Sequence, residues 1–186
     1  EKQIDDSPAG RSRRQRDHAR AQTDRFVPLA GNDFGRAAEL NDVFTPMRDQ
    51  LTLRCRVTLM DRAWPMYFSL GRGYSNDDRL GVIGYKAFID GTLGSRTARM
   101  LADYADDPGN RGTFVELAAE GHLQDWARGV AQAGLSPSMH AIGDAAARLA
   151  LDVCDLIGAG SRPRIEHAQQ IAMEDIPGFH NRIASM

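Results

Sequence analysis

The chain has 186 residues, 23 basic and 25 acidic side chains, a net charge of −2, and 42% hydrophobic residues. That balance excludes bulk disorder and collagen-like repeats, and it provides no global field that would recruit nucleic acid or acidic lipid. The length is ample for a core, yet short of the roughly 250 residues of a complete eight-stranded α/β barrel.

In chain order, residues 1–35 read as an irregular N-terminal segment. Arg11, Arg13, Arg14, Arg16, Arg20 and Arg25 cluster there, against Asp17 and Asp24. A solvated segment is the simpler reading; an arm for an acidic partner is the alternative. Nucleic acid is not expected, because no folded recognition motif accompanies the run. Glu1 to Gly10 carries no signal-peptide pattern, and no apolar run approaches the roughly 20 residues of a membrane span. A cytoplasmic protein is therefore expected.

From Arg36 the pattern sharpens. Ala37, Leu40, Val43, Phe44 and Met47 fall at helical spacing, with Pro46 forcing a kink or an early end. Residues 51–60 alternate as a strand, 62–70 read as a helix and 71–78 as a loop. Residues 80–89 form a second strand, apolar apart from Tyr85 and Lys86. Residues 91–113 are a long connection rich in Gly, Asp and Ser. A helix over 115–133 ends at Gly134. A strand over 135–142 follows, then a helix capped by Asp144 that stops at Gly158. Residues 164–168 form a strand, 173–179 a short helix, and 182–186 the start of another strand.

Repeated β-α units imply a parallel sheet with helices outside it. An open doubly wound sheet and a closed barrel both fit this order. No GxGxxG follows any strand, which lowers a dinucleotide-binding version. In both architectures the site lies at the carboxyl ends of the strands.

Those ends carry unusual side chains. Lys2 and Lys86 are the two lysines among the 23 basic residues, so an amine inside an apolar strand asks what it does that a guanidinium could not. A buried unpaired ammonium is costly, but a lysine can act as a base, a Schiff-base former or, after reaction with carbon dioxide, a carbamate. His140 and His167 sit near the ends of consecutive strands, about 4.8 Å apart in a sheet, and imidazole suits Zn, Fe, Ni or Mn. His18, His122 and His180 lie outside strands. Cys55 and Cys154 are far apart in apolar contexts and read as buried free thiols.

Four blocks then stand in order: Lys86-Ala-Phe-Ile-Asp90-Gly-Thr-Leu-Gly-Ser-Arg96-Thr-Ala98, Tyr104-Ala-Asp-Asp-Pro-Gly-Asn110-Arg-Gly112, His140-Ala-Ile-Gly-Asp144, and Arg164-Ile-Glu-His167-Ala168. Together they resemble the central blocks of the YtcJ-like branch of the amidohydrolase superfamily, over roughly residues 36–186. The resemblance implies an α/β fold, a partial TIM-type (β/α) barrel missing its first and last strands. It implies a metal-dependent hydrolase acting on carbon–nitrogen bonds of the non-peptide amide type through a metal-activated hydroxide. By the same resemblance Lys86, His140 and His167 are metal ligands, with Lys86 carbamylated and bridging one or two divalent ions, zinc foremost. Asp90, Ser95 and Arg96, in the loop after the lysine strand, are expected to contact substrate, although Asp90-Gly91 also reads as a turn and Arg96 as locally paired. Glu166 is expected to point opposite to His167 in a regular strand, toward the surrounding helices and paired with an Arg; a plain salt bridge is an equally good reading. The partners expected are a small-molecule substrate and, as an open alternative, a second copy of the chain.

The chain departs from the family pattern in two places. It holds no His-x-His pair of the family's first strand, and it ends at Met186 before the barrel-end Asp that serves as ligand and general base. A fragment of a larger enzyme is the expectation; the rival is an inactive or non-enzymatic remnant. The purified 186-residue chain is expected to show negligible hydrolase turnover with added metal, and robust metal-dependent turnover in a steady-state assay would reject the fragment reading.

Overall fold

Parallel strands need crossover connections, so their order in the sheet reports how the chain winds. The computed structural model describes residues 29–34, 42, 45–52, 54–60, 79–180 and 183–185, with 29–34 and 183–185 as backbone alone. Among them are six strands: β1 (Leu29–Phe34), β2 (Cys55–Leu59), β3 (Leu80–Phe88), β4 (Ser136–Ala141), β5 (Arg164–His167) and β6 (Ile183–Ser185). All pair in parallel, in the sequential order β1-β2-β3-β4-β5-β6. A doubly wound sheet reverses its strand order at a switch point; this one does not. The described helices that follow β3 and β4 pack on those strands, and the sheet curls into a half-barrel.

The helices between strands are α1 (Glu116–Ala119), α2 (Leu123–Gln132) and α3 (Asp144–Ile157). α2 packs against β3, β4 and α3, and α3 packs against β4. Their buried stripes are Leu123, Trp126, Ala127 and Val130 on α2, and Ala146, Ala147, Ala150, Leu151, Val153 and Cys154 on α3. They join Tyr85, Ala87, Met139, Ala141 and Ile165 in one core. These strand residues alternate with Lys86, Phe88, Ser138, His140 and Glu166, so the sheet has an apolar helix-facing side and a polar inner side. Burying each of Val130, Met139 and Ile165 stabilises the fold by about 1.5–3 kcal/mol.

Several elements differ from the sequence expectation. β1 lies within the stretch that shows no clean period. The helix expected over 115–133 is two helices, because Gly121 takes a left-handed conformation (φ +77°) between them. Gly134 (φ +76°) ends α2 as expected, with its N–H on Ala131 O and the Leu135 N–H on Val130 O. The N-cap of α3 is Gly143 rather than Asp144, which is the first helical residue. Residues 173–179 form a 3₁₀ helix (Met173–Phe179). Cys55 is half-buried and Cys154 buried, both as free thiols. The helices expected over 36–47 and 62–70, the loop over 71–78 and the arginine cluster lie largely or wholly outside the described residues. No helix among the described residues is long and apolar enough to cross a membrane.

The β3–β4 seam depends on a missing side chain. A Cβ on Gly84 would stand 2.0 Å from the Ser136 carbonyl oxygen, a backbone atom that cannot rotate away. Gly84→Ala is expected to destabilise the chain by at least about 3 kcal/mol in urea-unfolding measurements, the upper end for overpacking.

Candidate functional site

Register decides which strand-end side chains meet. Phe88 pairs with His140, and His140 with Glu166; one row back, Lys86 pairs with Ser138, and Ser138 with Arg164. Paired residues of parallel strands point the same way, so these two rows form one polar strip on the inner side of the sheet. Lys86 is 7% exposed, with its Nζ 5.3 Å from the Phe88 ring centroid. The Phe88 and His140 ring centroids are 5.0 Å apart.

His140 is 6% exposed and held at its remote nitrogen. Its Nε2 lies 3.0 Å from the Gly91 carbonyl oxygen and 3.6 Å from Asp90 Oδ1. A carbonyl oxygen only accepts, so Nε2 carries a proton directed at Gly91. Metal-binding imidazoles are oriented through the second nitrogen in this manner.

His167 pairs with Ala141, one position beyond His140. Regular alternation would turn its ring to the helix side. Instead its backbone is left-handed (φ +74°), as is that of Ala168 (φ +45°). The two rings meet edge-to-face with centroids 4.6 Å apart. Two consecutive non-glycine residues in this region carry conformational strain of the kind that concentrates at functional sites.

Glu166 corrects the expectation that it faces the helices. By register it lies on the inner side, 2% exposed. Its Oε1 accepts from Ser138 Oγ and from Arg164 Nε, each at 2.9 Å. An arginine partner for Glu166 was expected; the Ser138 hydroxyl and the inner-face position were not. Their signal was present: Ser136-x-Ser138-x-His140 and Arg164-x-Glu166 place polar residues at every second position, with Pro137, Met139 and Ile165 apolar between them.

The three residues expected in the connecting loop occupy different places. Asp90 is 1% exposed and turned inward: its carboxylate accepts from the backbone N–H groups of Arg99 (2.8 Å), Ile142 (3.0 Å) and Gly143 (2.8 Å). A carboxylate engaged on three amides is a fastener, not an open substrate contact. Ser95 Oγ hydrogen-bonds Thr92 Oγ1 at 2.9 Å and Thr97 Oγ1 at 2.6 Å. Arg96 makes a forked pair with Asp106, at 3.2 Å from Nε and 2.7 Å from Nη2. Asp144 Oδ1 accepts from the Leu101 and Ala145 N–H groups at 2.7 and 2.8 Å, tying the loop to α3. The structure therefore brings Lys86, His140 and His167 to one strip, and leaves Ser95 and Arg96 in the outer loop.

Loop electrostatics follow its ion pairs. The Arg96 guanidinium holds the Asp106 carboxyl below the ordinary carboxylate range. Asp103 is held low first by its hydrogen bond from Arg111 and then by the Gly109 N–H. Burial, and next the Asp90 charge, push the Tyr104 phenol up, while its hydroxyl donates to Ala98 O at 2.8 Å.

A family model described as the amidohydrolase family matches residues 11–186. Over 122 residues the chain is 38% identical to Protein LONG AFTER FAR-RED 3 of Arabidopsis thaliana, a match covering 63% of this chain and 20% of that protein. An uncharacterized metal-dependent hydrolase from Pyrococcus horikoshii OT3 is 30% identical with a TM-score of 0.69, over 81% of this chain and 30% of that one. One from Pyrococcus furiosus is 23% identical with a TM-score of 0.68, over 82% of this chain and 32% of that one. The chain thus spans about a fifth of the curated relative's length and about a third of each solved structure's.

Asp103 and Asp106 have folded pKa values below their unfolded ones, so their stabilisation is complete above the unfolded value of about 3.9 and is lost as pH falls through the lowered folded values. Carboxyl-carbon NMR titration is expected to show both below about 3.9, and Arg96→Gln to return Asp106 toward that value while leaving Asp103 in place.

Proposed function

The chain belongs to the amidohydrolase family, and from that premise we propose that it supplies the middle strands of a TIM-type barrel in a metal-dependent hydrolase of the YtcJ-like branch. The reaction proposed is hydrolysis of a non-peptide carbon–nitrogen bond in a small-molecule substrate. One observation carries this reading: His140 and His167, from adjacent strands, meet edge-to-face on the polar strip that also bears Lys86, at the carboxyl end of the sheet.

The residues fit a divalent ion in their donor chemistry. Among the described residues no three His, Cys, Asp or Glu side chains gather into a ready cage. Two imidazoles meet at the strip whose next row back carries Lys86, and one imidazole has its remote N–H fixed by a carbonyl. His140, through the lone pair on Nδ1, and His167 would hold the ion, with Lys86 as the third donor in carbamate form. Imidazole donors suit zinc among the common ions, and one or two ions are proposed. When bound, the metal would polarise the substrate carbonyl and make a hydroxide available near neutral pH.

This chain's own residues do the rest. Gly91 O keeps the His140 ring in one orientation. Phe88 lies beside Lys86, its ring centroid 5.3 Å from Nζ, and helps keep this side chain within the strip. Ser138 and Arg164 occupy Glu166 Oε1, which gives this buried carboxylate local partners. The supporting relationships are the family match, the lysine retained in a lysine-poor chain, and the metal-dependent hydrolases that share the fold.

Zinc titration into the chain by calorimetry tests the donor set. His140→Ala, His167→Ala and Lys86→Ala are each expected to weaken zinc binding at least about tenfold, and Lys86→Arg to fail likewise, since a guanidinium forms no carbamate. Unchanged binding in all four would remove the assignment.

A further inference from the structure

A carboxylate buried to 1% exposure must be met by donors, and the donors on Asp90 come from two separate segments. Ile142 and Gly143 lie on the exit of β4; Arg99 lies in the loop that follows β3. The neighbours of Asp90 continue this grip on His140. The Ile89 N–H donates to the His140 carbonyl oxygen at 3.0 Å, and the Gly91 carbonyl accepts from its ring at 3.0 Å. Residues 89–91 thus hold the histidine at its backbone, at its ring, and through the two amides that leave it.

Two glycines make this approach feasible. A Cβ on Gly143 would stand 2.0 Å from the Arg99 carbonyl oxygen, and one on Gly91 would stand 2.0 Å from Thr97 Oγ1. The segment 97–99 is therefore pressed between the ends of β3 and β4. Its Arg99 carbonyl also accepts from the Ala145 and Ala146 N–H groups at the start of α3. The loop is fastened to both strand ends, and the Asp90 carboxylate is where its two sides are joined.

We propose that Asp90 is a positioning residue, whose carboxylate fastens the β4 exit to the 91–114 loop and thereby fixes the His140 imidazole as the Nε2–H tautomer, with Nδ1 facing the inner strip. The purpose of this arrangement rests on the metal reading, but the arrangement itself does not require metal. Asp144 supplies the comparison: its carboxylate also binds loop and helix amides at this end of the barrel, and no contact joins it to the His140 ring.

Long-range proton–nitrogen NMR of the histidine side chains in the metal-free chain, above about pH 8 where imidazoles are neutral, is the test. The wild-type chain is expected to show His140 as a single Nε2–H tautomer; an Nδ1–H tautomer or an even mixture overturns the proposal whatever the variants do. Asp90→Asn turns an amide NH₂ toward backbone donors. It is expected to convert His140 to a mixture and to speed hydrogen exchange at Ile142 and Gly143 about tenfold or more. Asp144→Asn is expected to leave the His140 tautomer untouched. A folded Asp90→Asn chain with an unchanged His140, or an equal change in Asp144→Asn, reduces Asp90 to a general loop fastener and overturns the positioning role. Should Asp90→Asn fail to fold, the wild-type tautomer still decides. Zinc titration of the wild-type chain is scored separately, so loss of the metal reading and loss of this one are distinguishable.

Discussion

An ionised carboxylate inside a protein must find enough hydrogen-bond donors to replace its lost water, and at Asp90 the donors found are backbone amides of Arg99, Ile142 and Gly143. Backbone donors are fixed by the fold, unlike long side chains, so the bond constrains geometry in both directions. Two otherwise separate pieces, the β4 exit and the long loop after β3, become one body. The polar strip on the inner face lies directly beneath that junction. His140 inherits its ring orientation from Gly91, the residue next to the junction, and α3 inherits its start from the Arg99 carbonyl. Without this fastening, the end of the sheet where the side chains converge would be bordered by a 20-odd-residue connection of the kind that is usually mobile.

The second constraint is the left-handed pair His167–Ala168. Period-two alternation permits only one of Glu166 and His167 on the inner side. Register gives that position to Glu166, opposite His140. The backbone then leaves the β region at the following residue, and the His167 ring comes to lie 4.6 Å from that of His140. The sheet edge is still satisfied, because the Ala168 N–H donates to Ala141 O at 3.0 Å. One irregular residue thus places a carboxylate and an imidazole on the same side, where a regular strand would have separated them.

These two features also mark how far the sequence could be read. The strands from 80 onward were legible because their apolar residues are bounded by glycines and turn residues, and the cores of β3, β4 and β5 lie where the pattern places them. Lys86, His140 and His167 were legible as strand-end residues because parallel β-α repeats carry such ends to one mouth. Three things were not. β1 lacks an alternating pattern in Leu29–Phe34, so its place rests on pairing with β2 rather than on its own residues. Gly121 splits a helix whose apolar spacing continues across it. Glu166 was misplaced because face assignment by alternation fails at the residue where φ changes sign. Asp90 was misread for a related reason: Asp-Gly after a strand has the composition of an open turn, and only tertiary contacts 52 and 53 residues away convert it into a buried clamp.

The inner strip also sets different demands on its two basic residues, Arg164 and Lys86. Arg164, one row back on β5, has a buried carboxylate to answer it: Glu166 lies 2.9 Å from its Nε. Lys86, in the row of Ser138, is 7% exposed, with its Nζ 5.3 Å from the Phe88 ring centroid. A guanidinium there would have to seat a rigid planar fork of five donors in the same enclosed place. An ammonium is a compact group on a flexible stem, and its three donors rotate to suit the partners that the strip provides. The fork suits position 164, where a carboxylate lies within reach; the compact head suits position 86.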